Sequence, residues 1–323
     1  MTDRLVLVTG AGGFVGGHVA RHLASLGWRV RGFARRPVAM LEGDPPIEWV
    51  IGDLLDPTAR ERALEGVGAV VHSAGWVSLG PDPEGRGHEL NVVATERLLE
   101  GAIAAGVGCF VSTSSLYTMA VGTADRPADE STPWNLECVD SSYTRSKRAA
   151  ESLVLAANGP RIRTVALCPG MVLGPRDPKP TSTTIIRTLA RNPLVFLPPG
   201  GIPLTDARVL ALAHERALTA GPGGERFAIV GPYVSYPMIA AIVKSLVGWP
   251  KVIVPLPDRI EPFLSWSVRY TGPYLRRTWP DVSRGVIAGS FLRLHVTGAR
   301  ADREFHLTHP PAPDTIASVL IRT

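Results

Sequence analysis

Leu5-Val6-Leu7-Val8-Thr9-Gly10-Ala11-Gly12-Gly13-Phe14-Val15-Gly16 is the stretch that decides the fold of this 323-residue chain. An apolar, β-branched run turns through three spaced glycines into a segment with helical periodicity at Val15, Val19, Leu23 and Leu26. Gly10 permits the tight turn, Gly13 lets backbone approach a pyrophosphate with no Cβ in the way, and Gly16 lets the new helix lie close to the strand. The free amides of the helix then face an anion. Thr9, Gly10, Gly12, Gly13, Phe14, Val15 and Gly16 are therefore the expected contacts of a dinucleotide cofactor.

Working outward, the next 160 residues or so alternate short apolar strands with helical stretches, the pattern of a doubly wound parallel sheet. Strands are expected near Leu5 to Thr9, Arg29 to Phe33, Glu48 to Ile51, Ala69 to His72, Cys109 to Thr113 and Thr164 to Leu167. From Gly174 prolines and glycines cluster, at Gly174-Pro175-Arg176-Asp177-Pro178 and Pro198-Pro199-Gly200-Gly201. This predicts a cofactor domain over residues 1–175 and a smaller α/β substrate lobe over 176–323, interleaved with the last elements of the first.

Composition narrows the function classes. Hydrophobic residues make up 45% of the chain, enough for a large core, and the net charge of +5 comes from arginines spread along the sequence. With no dense basic run, a nucleic-acid partner is not expected. Cys109, Cys138 and Cys168 are odd in number and widely spaced, which suits a reducing compartment and core positions. His295, His306 and His309 have neither metal-ligand spacing nor a neighbouring carboxylate set, so no metal is expected. No leader-like start and no long apolar span is present, so the chain is expected in the cytoplasm with no membrane contact.

The second strand ends in Ala34-Arg35-Arg36, where an acid would select NAD. Two guanidinium groups there can fork onto a 2′-phosphate, so NADP is the expected cofactor, with NAD second. Asp53 and Leu54 follow the third strand, and the carboxylate of Asp53 can accept from an adenine amino group. Ala74 and Gly75 end the fourth strand with small residues that let a cofactor pass close to backbone. His72 beside them reads as a hydrogen-bonded core histidine.

Reaction chemistry is expected at Ser115, Tyr143 and Lys147. Tyr143 and Lys147 lie one helical turn apart and project from one face. A phenol with a pKa near 10 is a poor acid or base at neutral pH, and a nearby ammonium stabilises its phenolate. Lys147 is one of only a few lysines in an arginine-rich chain. Ser115, just past the fifth strand, can donate to a substrate oxygen.

At these residues the chain resembles the short-chain dehydrogenase/reductase superfamily, in its extended branch of NAD(P)-dependent epimerases, dehydratases, 3β-hydroxysteroid dehydrogenases and dihydroflavonol-reductase-like enzymes. The resemblance rests on the glycine loop, Gly52-Asp53-Leu54, Asn91, Thr113-Ser114-Ser115, Tyr143 to Lys147, and Pro169-Gly170 followed by Gly174-Pro175. It implies a Rossmann-type fold in which Tyr143 is the acid/base, Lys147 tunes it and binds the nicotinamide ribose, and Ser115 orients the substrate. It also implies that the backbone at Pro169, Gly170 and Val172 borders the nicotinamide and that Asn91 supports the site indirectly. A homodimer paired through the helices around Asn91 to Ala105 and Ser142 to Ala157 is a further implication.

Beyond Gly174 the resemblance loosens. Gly200 to Asp206 stands where nucleotide-sugar enzymes carry an Arg-Asp-aromatic signature, although Ala213-His214 and Ala217-Leu218 keep the following helix. Cys168 replaces an arginine common in sugar epimerases, and no cation obviously compensates. Phe196, Tyr233, Tyr236, Phe263, Trp266 and Tyr270 offer apolar bulk instead. The segment 262–277 is read first as a helix packed on the core, second as a pocket wall, third as a membrane-surface patch. These features point to an oxidoreductase acting on a hydrophobic ketone or alcohol. A nucleotide-sugar epimerase/dehydratase and a non-catalytic NADP sensor are the alternatives.

Overall fold

Leu5–Thr9 is buried along its whole length, as the middle strand of a parallel sheet covered on both faces must be. In the computed structural model, which describes residues 5–38, 42–139, 141–178, 182–248, 252–275 and 282–320, this strand is β1. The other strands are β2 (Arg29–Ala34), β3 (Glu48–Ile51), β4 (Val67–His72), β5 (Cys109–Thr113), β6 (Arg163–Pro169), β7 (Met171–Leu173), β8 (Leu194–Leu197), β9 (Gly201–Asp206), β10 (Glu225–Ile229), β11 (Tyr233–Ser235) and β12 (Val252–Pro255). Seven form one parallel sheet in the order β10-β6-β5-β4-β1-β2-β3. Strand order reverses beside β1, which opens a crevice at the carboxyl ends of β1 and β4.

Alternation along β1 divides the core. Val6 and Val8 face a layer that includes Val19 and Leu23 of α1 (Phe14–Ser25) and, further along the chain, Leu210, Ala213 and Ala217. Leu5 and Leu7 face the opposite layer, with Leu64 of α2 (Pro57–Leu64), Leu98 of α3 (Ala94–Ala104) and Val154 of α4 (Ser142–Ala156). Leu26, expected on the buried stripe of α1, instead follows its last turn and is 51% exposed.

All six strands anticipated from the sequence are present. A seventh, β10, pairs with β6 from far along the chain, so residues beyond 176 contribute to both parts of the molecule. They supply α6 (Ala207–Thr219), which packs on α1, after α5 (Ser182–Arg191). The smaller part joins α5 to α7 (Tyr236–Val247) over β7, β9 and β11, with β8 and β12 paired alongside. The chain then forms α8 (Glu261–Leu275), α9 (Arg284–Phe291), α10 (Ala299–Glu304) and α11 (Ala312–Leu320).

Candidate active site

The glycine loop follows β1 at the crevice. Gly10 has φ +68°, and a Cβ there would stand 2.7 Å from the backbone nitrogen of Ala74. Gly16 lies so close to the carbonyl of Gly10 that no side chain fits between helix and turn. Gly13 is the N-cap residue of α1 and supplies no side-chain cap, while Gly12 and Gly13 are both exposed. An uncapped helix N-terminus with bare backbone beside it fits a pyrophosphate. Phe14 leans edge-on against His18, and Val15 packs on the core.

Arg35 and Arg36 emerge exposed from the end of β2, next to Ala34, whose Cβ lies beside Gly12. Neither makes an ion pair or hydrogen bond among the described residues. Asp53 is exposed and accepts from the Leu55 amide at 2.9 Å, whereas Leu54 is buried. On the far side, Gly170 donates its N–H to Thr205 Oγ1 at 2.9 Å and its α-carbon presses on the backbone of Pro203. Pro169 ends β6, and the Val172 side chain belongs to the core.

His72 links the crevice to its supports. The Ala74 amide donates to Thr9 Oγ1 (3.2 Å), Thr9 contacts His72 Nδ1 (2.8 Å), His72 Nε2 contacts Thr95 Oγ1 (2.8 Å), and Thr95 donates to the Asn91 carbonyl (2.6 Å). With Thr95 already donating, Nε2 carries the hydrogen and Nδ1 accepts. Burial pushes the His72 pKa down to about 3, so the ring stays neutral as this chain requires. Asn91 stands in a π-helical turn, His88–Val93, and its side chain bonds both backbone groups of Trp76 and Ser146 Oγ. It therefore braces the loop after β4 against α4, next to Lys147.

Ser115, Tyr143 and Lys147 come together at the end of β5. Ser141 caps α4 by accepting from the Thr144 amide, which sets the register of the helix. Lys147 Nζ donates to the Thr113 carbonyl at 3.0 Å. The Ser115 hydroxyl accepts from the Tyr117 amide at 3.3 Å and lies close enough to the Tyr143 phenol to favour its phenolate. Burial outweighs that influence and the Tyr143 pKa rises. Burial also lowers the Lys147 pKa to about 8, against an upward pull from Glu151.

Several residues around this centre escaped the sequence reading. Glu151, one turn beyond Lys147, is buried and accepts from Ser114, from Thr118 Oγ1 (2.6 Å) and from the Cys168 thiol (3.2 Å). Arg226 of β10 reaches it at 3.4 Å, so the cation that sequence could not find beside Cys168 comes from the neighbouring strand. The Tyr143-Lys147 spacing extended by four residues was the available signal. Tyr117 stands edge-on to Tyr143 with ring centroids 6.4 Å apart, and Tyr236 is close enough to raise the Tyr117 pKa. Burial pushes Tyr236 itself up to about 12. Tyr117 thus walls one side of the space at Tyr143, with Tyr236 near Tyr117.

Other expectations need correction. Cys138 is exposed, because its turn lies at the surface, while Cys109 and Cys168 are core residues. His309 does have a carboxylate partner, Asp302 at 2.9 Å, which α10 carries to it. Phe196 is exposed on β8, and Phe263, Trp266 and Tyr270 are exposed on α8, whose buried face includes Ser265 and Val268 instead. Arg276 and Arg277 lie outside the described residues. Among the described residues no group of histidine, cysteine or acidic side chains could hold a metal ion.

Glu151→Gln preserves shape and removes the charge that faces both Arg226 and Lys147. The expected result is a loss of roughly 1 to 3 kcal/mol in denaturant unfolding, with the Lys147 amine titrating at lower pH by NMR. An unchanged unfolding midpoint together with an unchanged Lys147 titration would contradict this description of the cluster.

Comparison with known proteins agrees with this architecture. The sequence model of the NAD dependent epimerase/dehydratase family matches residues 6–198. A Synechocystis sp. protein provisionally named a dihydroflavonol 4-reductase is 33% identical over 260 residues, 77% of this chain and 75% of its own. The 2-alkyl-3-oxoalkanoate reductase of Stenotrophomonas maltophilia is 30% identical over 287 residues, 85% of this chain and 83% of its own. The crystal structure of gox2253 superposes with a TM-score of 0.81 at 28% identity, covering 98% of this chain and 97% of that one. A Rossmann-type sheet, a glycine loop at its switch point and this family match over more than half the chain lead to one conclusion: the protein belongs to the NAD-dependent epimerase/dehydratase family of extended short-chain dehydrogenases/reductases.

Proposed function

We propose that the protein is an NADP-dependent oxidoreductase that interconverts a hydrophobic ketone and its secondary alcohol, with Tyr143 as acid/base. The observation that carries this reading is the convergence of Ser115, Tyr143 and Lys147 at the end of β5, beside the crevice where the glycine loop opens. The bound nicotinamide would supply or accept the hydride. Tyr143 holds the proton that passes to or from the substrate oxygen, and Ser115 holds that oxygen against it. Lys147, fixed by the Thr113 carbonyl, brings a positive charge to the cofactor ribose and the phenol. Gly10, Gly12, Gly13 and the first turn of α1 receive the pyrophosphate, with Thr9, Phe14, Val15 and Gly16 shaping that turn. Asp53, Leu54, Ala74, Gly75, Pro169, Gly170 and Val172 border the rest of the cofactor.

Substrate class follows from what surrounds Tyr143. Tyr117 gives an aromatic wall there, and the two relatives described above, each covered over more than two thirds, are named as reductases. Gly201 offers no cation to a nucleotide diphosphate, and Arg226, the cation beside Cys168, is already engaged by Glu151 and the Glu130 carbonyl. Phe263, Trp266 and Tyr270 of α8 are exposed and lend this reading no support.

Three measurements test the proposal. Arg35→Ser/Arg36→Ser should weaken NADP binding by about 1.5 to 3 kcal/mol, the range for hydrogen bonds to a charged group, and leave NAD binding nearly unchanged. Equal affinity of the unmodified protein for the two cofactors would sink the NADP assignment.

Tyr143→Phe should keep cofactor affinity and lower turnover by roughly two to four orders of magnitude. The pH profile has a fixed sign. Tyr143 is raised above its ordinary value, so it is protonated throughout the neutral range, and Lys147 is charged below about 8. Carbonyl reduction should therefore stay level near neutrality and fall as pH rises through about 8. Reduction that accelerates with pH over that range would contradict these assignments.

A further inference from the structure

We infer that the aromatic face of α8 docks the protein onto an anionic lipid surface. On this helix Phe263, Trp266, Tyr270 and Tyr274 are 62%, 59%, 60% and 73% exposed. At about 100° per residue their positions fall within about 80° of arc, so they form one stripe. Ring stacking orders it: Phe263 lies 6.1 Å from Trp266, and Trp266 lies 5.4 Å edge-on from Tyr270. Ser265 and Val268 are buried on the inner side, so the stripe is the outward face of a seated helix and its exposure does not reflect a missing core contact.

Charge selects the occupant. Residues 236–293 contain eight lysines and arginines against three acids, a net of +5, and the whole chain also carries +5. The remaining 265 residues are therefore balanced, and the excess charge belongs to the segment that contains α8. Scarcity of acids produces this concentration, which is why a search for basic runs does not detect it. Of the three acids, Asp258 is paired with Arg293 and Glu261 accepts from Ser265, while Lys244, Arg259 and Arg284 are exposed.

Area and charge together argue against a second copy. Four aromatic side chains at this exposure present on the order of 500 Å², below the roughly 800 Å² per partner of a stable protein interface. A twofold contact through this face would also set like charges against each other. Tryptophan and tyrosine with flanking cations suit the headgroup region of a bilayer, where a ring can enter and its polar edge stay wet. Among the described residues no helix is long and apolar enough to cross a membrane, so the contact is interfacial.

The test is flotation with vesicles of phosphatidylcholine alone or containing phosphatidylglycerol, with no cofactor or substrate present, so its outcome is independent of the proposed reaction. The protein should float with the anionic vesicles, release at high salt, and shift its tryptophan emission to the blue. Trp266→Glu/Tyr270→Glu should bind at least about tenfold more weakly while keeping the thermal midpoint and NADP affinity of the unmodified protein. Phe263→Ser/Tyr274→Ser should weaken binding in the same direction if the first variant proves unstable. Failure to float with either vesicle, equal flotation of folded variants, or a dimer in solution that the variants abolish would overturn the inference.

Discussion

A buried ammonium held by one carbonyl sets the geometry of this protein's centre. Lys147 Nζ donates to the carbonyl that ends β5, which ties helix α4 to the carboxyl edge of the sheet and fixes Tyr143 one turn earlier. Burying that charge is costly, and its pKa of about 8 measures the cost. Glu151 on the same helix face partly offsets it, while Arg226 answers the carboxylate from β10. Three strands and one helix are thus held around a single charged row, so a shift in any of them moves Lys147 and Tyr143.

Neutral histidines carry the rest of the scaffold. His72 and His214 are both driven well below their ordinary pKa by burial, to about 3 and about 4. Each therefore offers one donor and one acceptor, and each completes a chain of hydroxyl contacts. His214 Nδ1 donates to the Leu210 carbonyl, leaving Nε2 to accept from Thr113, which in turn meets Ser73. These chains join β1, β4 and β5 at the edge where the crevice opens. Rigidity there comes from satisfied polar groups, because glycines and small residues leave little side-chain packing.

Much of this was legible in the sequence because short-range spacing encodes it. Three glycines after an all-buried strand specify the turn, and the four-residue spacing of Tyr143 and Lys147 puts both on one helix face. Spacing alone could not supply what arrives from elsewhere in the chain: β10 as the seventh strand, Arg226 beside Cys168, or Tyr117 beside Tyr143. Periodicity also states which residues share a face without stating what covers it. By sequence the stripe at Phe263, Trp266 and Tyr270 ranks first as core and last as surface, and the buried Ser265 and Val268 reverse that order. Net charge failed similarly, since a sum over the whole chain hides where the acids are missing.

The central claim is that this site performs net redox chemistry on a ketone, not a transient oxidation within a sugar. Incubation of the protein with a 2-alkyl-3-oxoalkanoate or a flavonoid ketone and NADPH deuterated at nicotinamide C4, followed by mass spectrometry, tests it most directly. The account predicts a secondary alcohol carrying one deuterium on the carbinol carbon, with NADP released in equal amount. Contradiction would be an unlabelled ketone, together with conversion of a nucleotide sugar to its epimer without any release of oxidised cofactor.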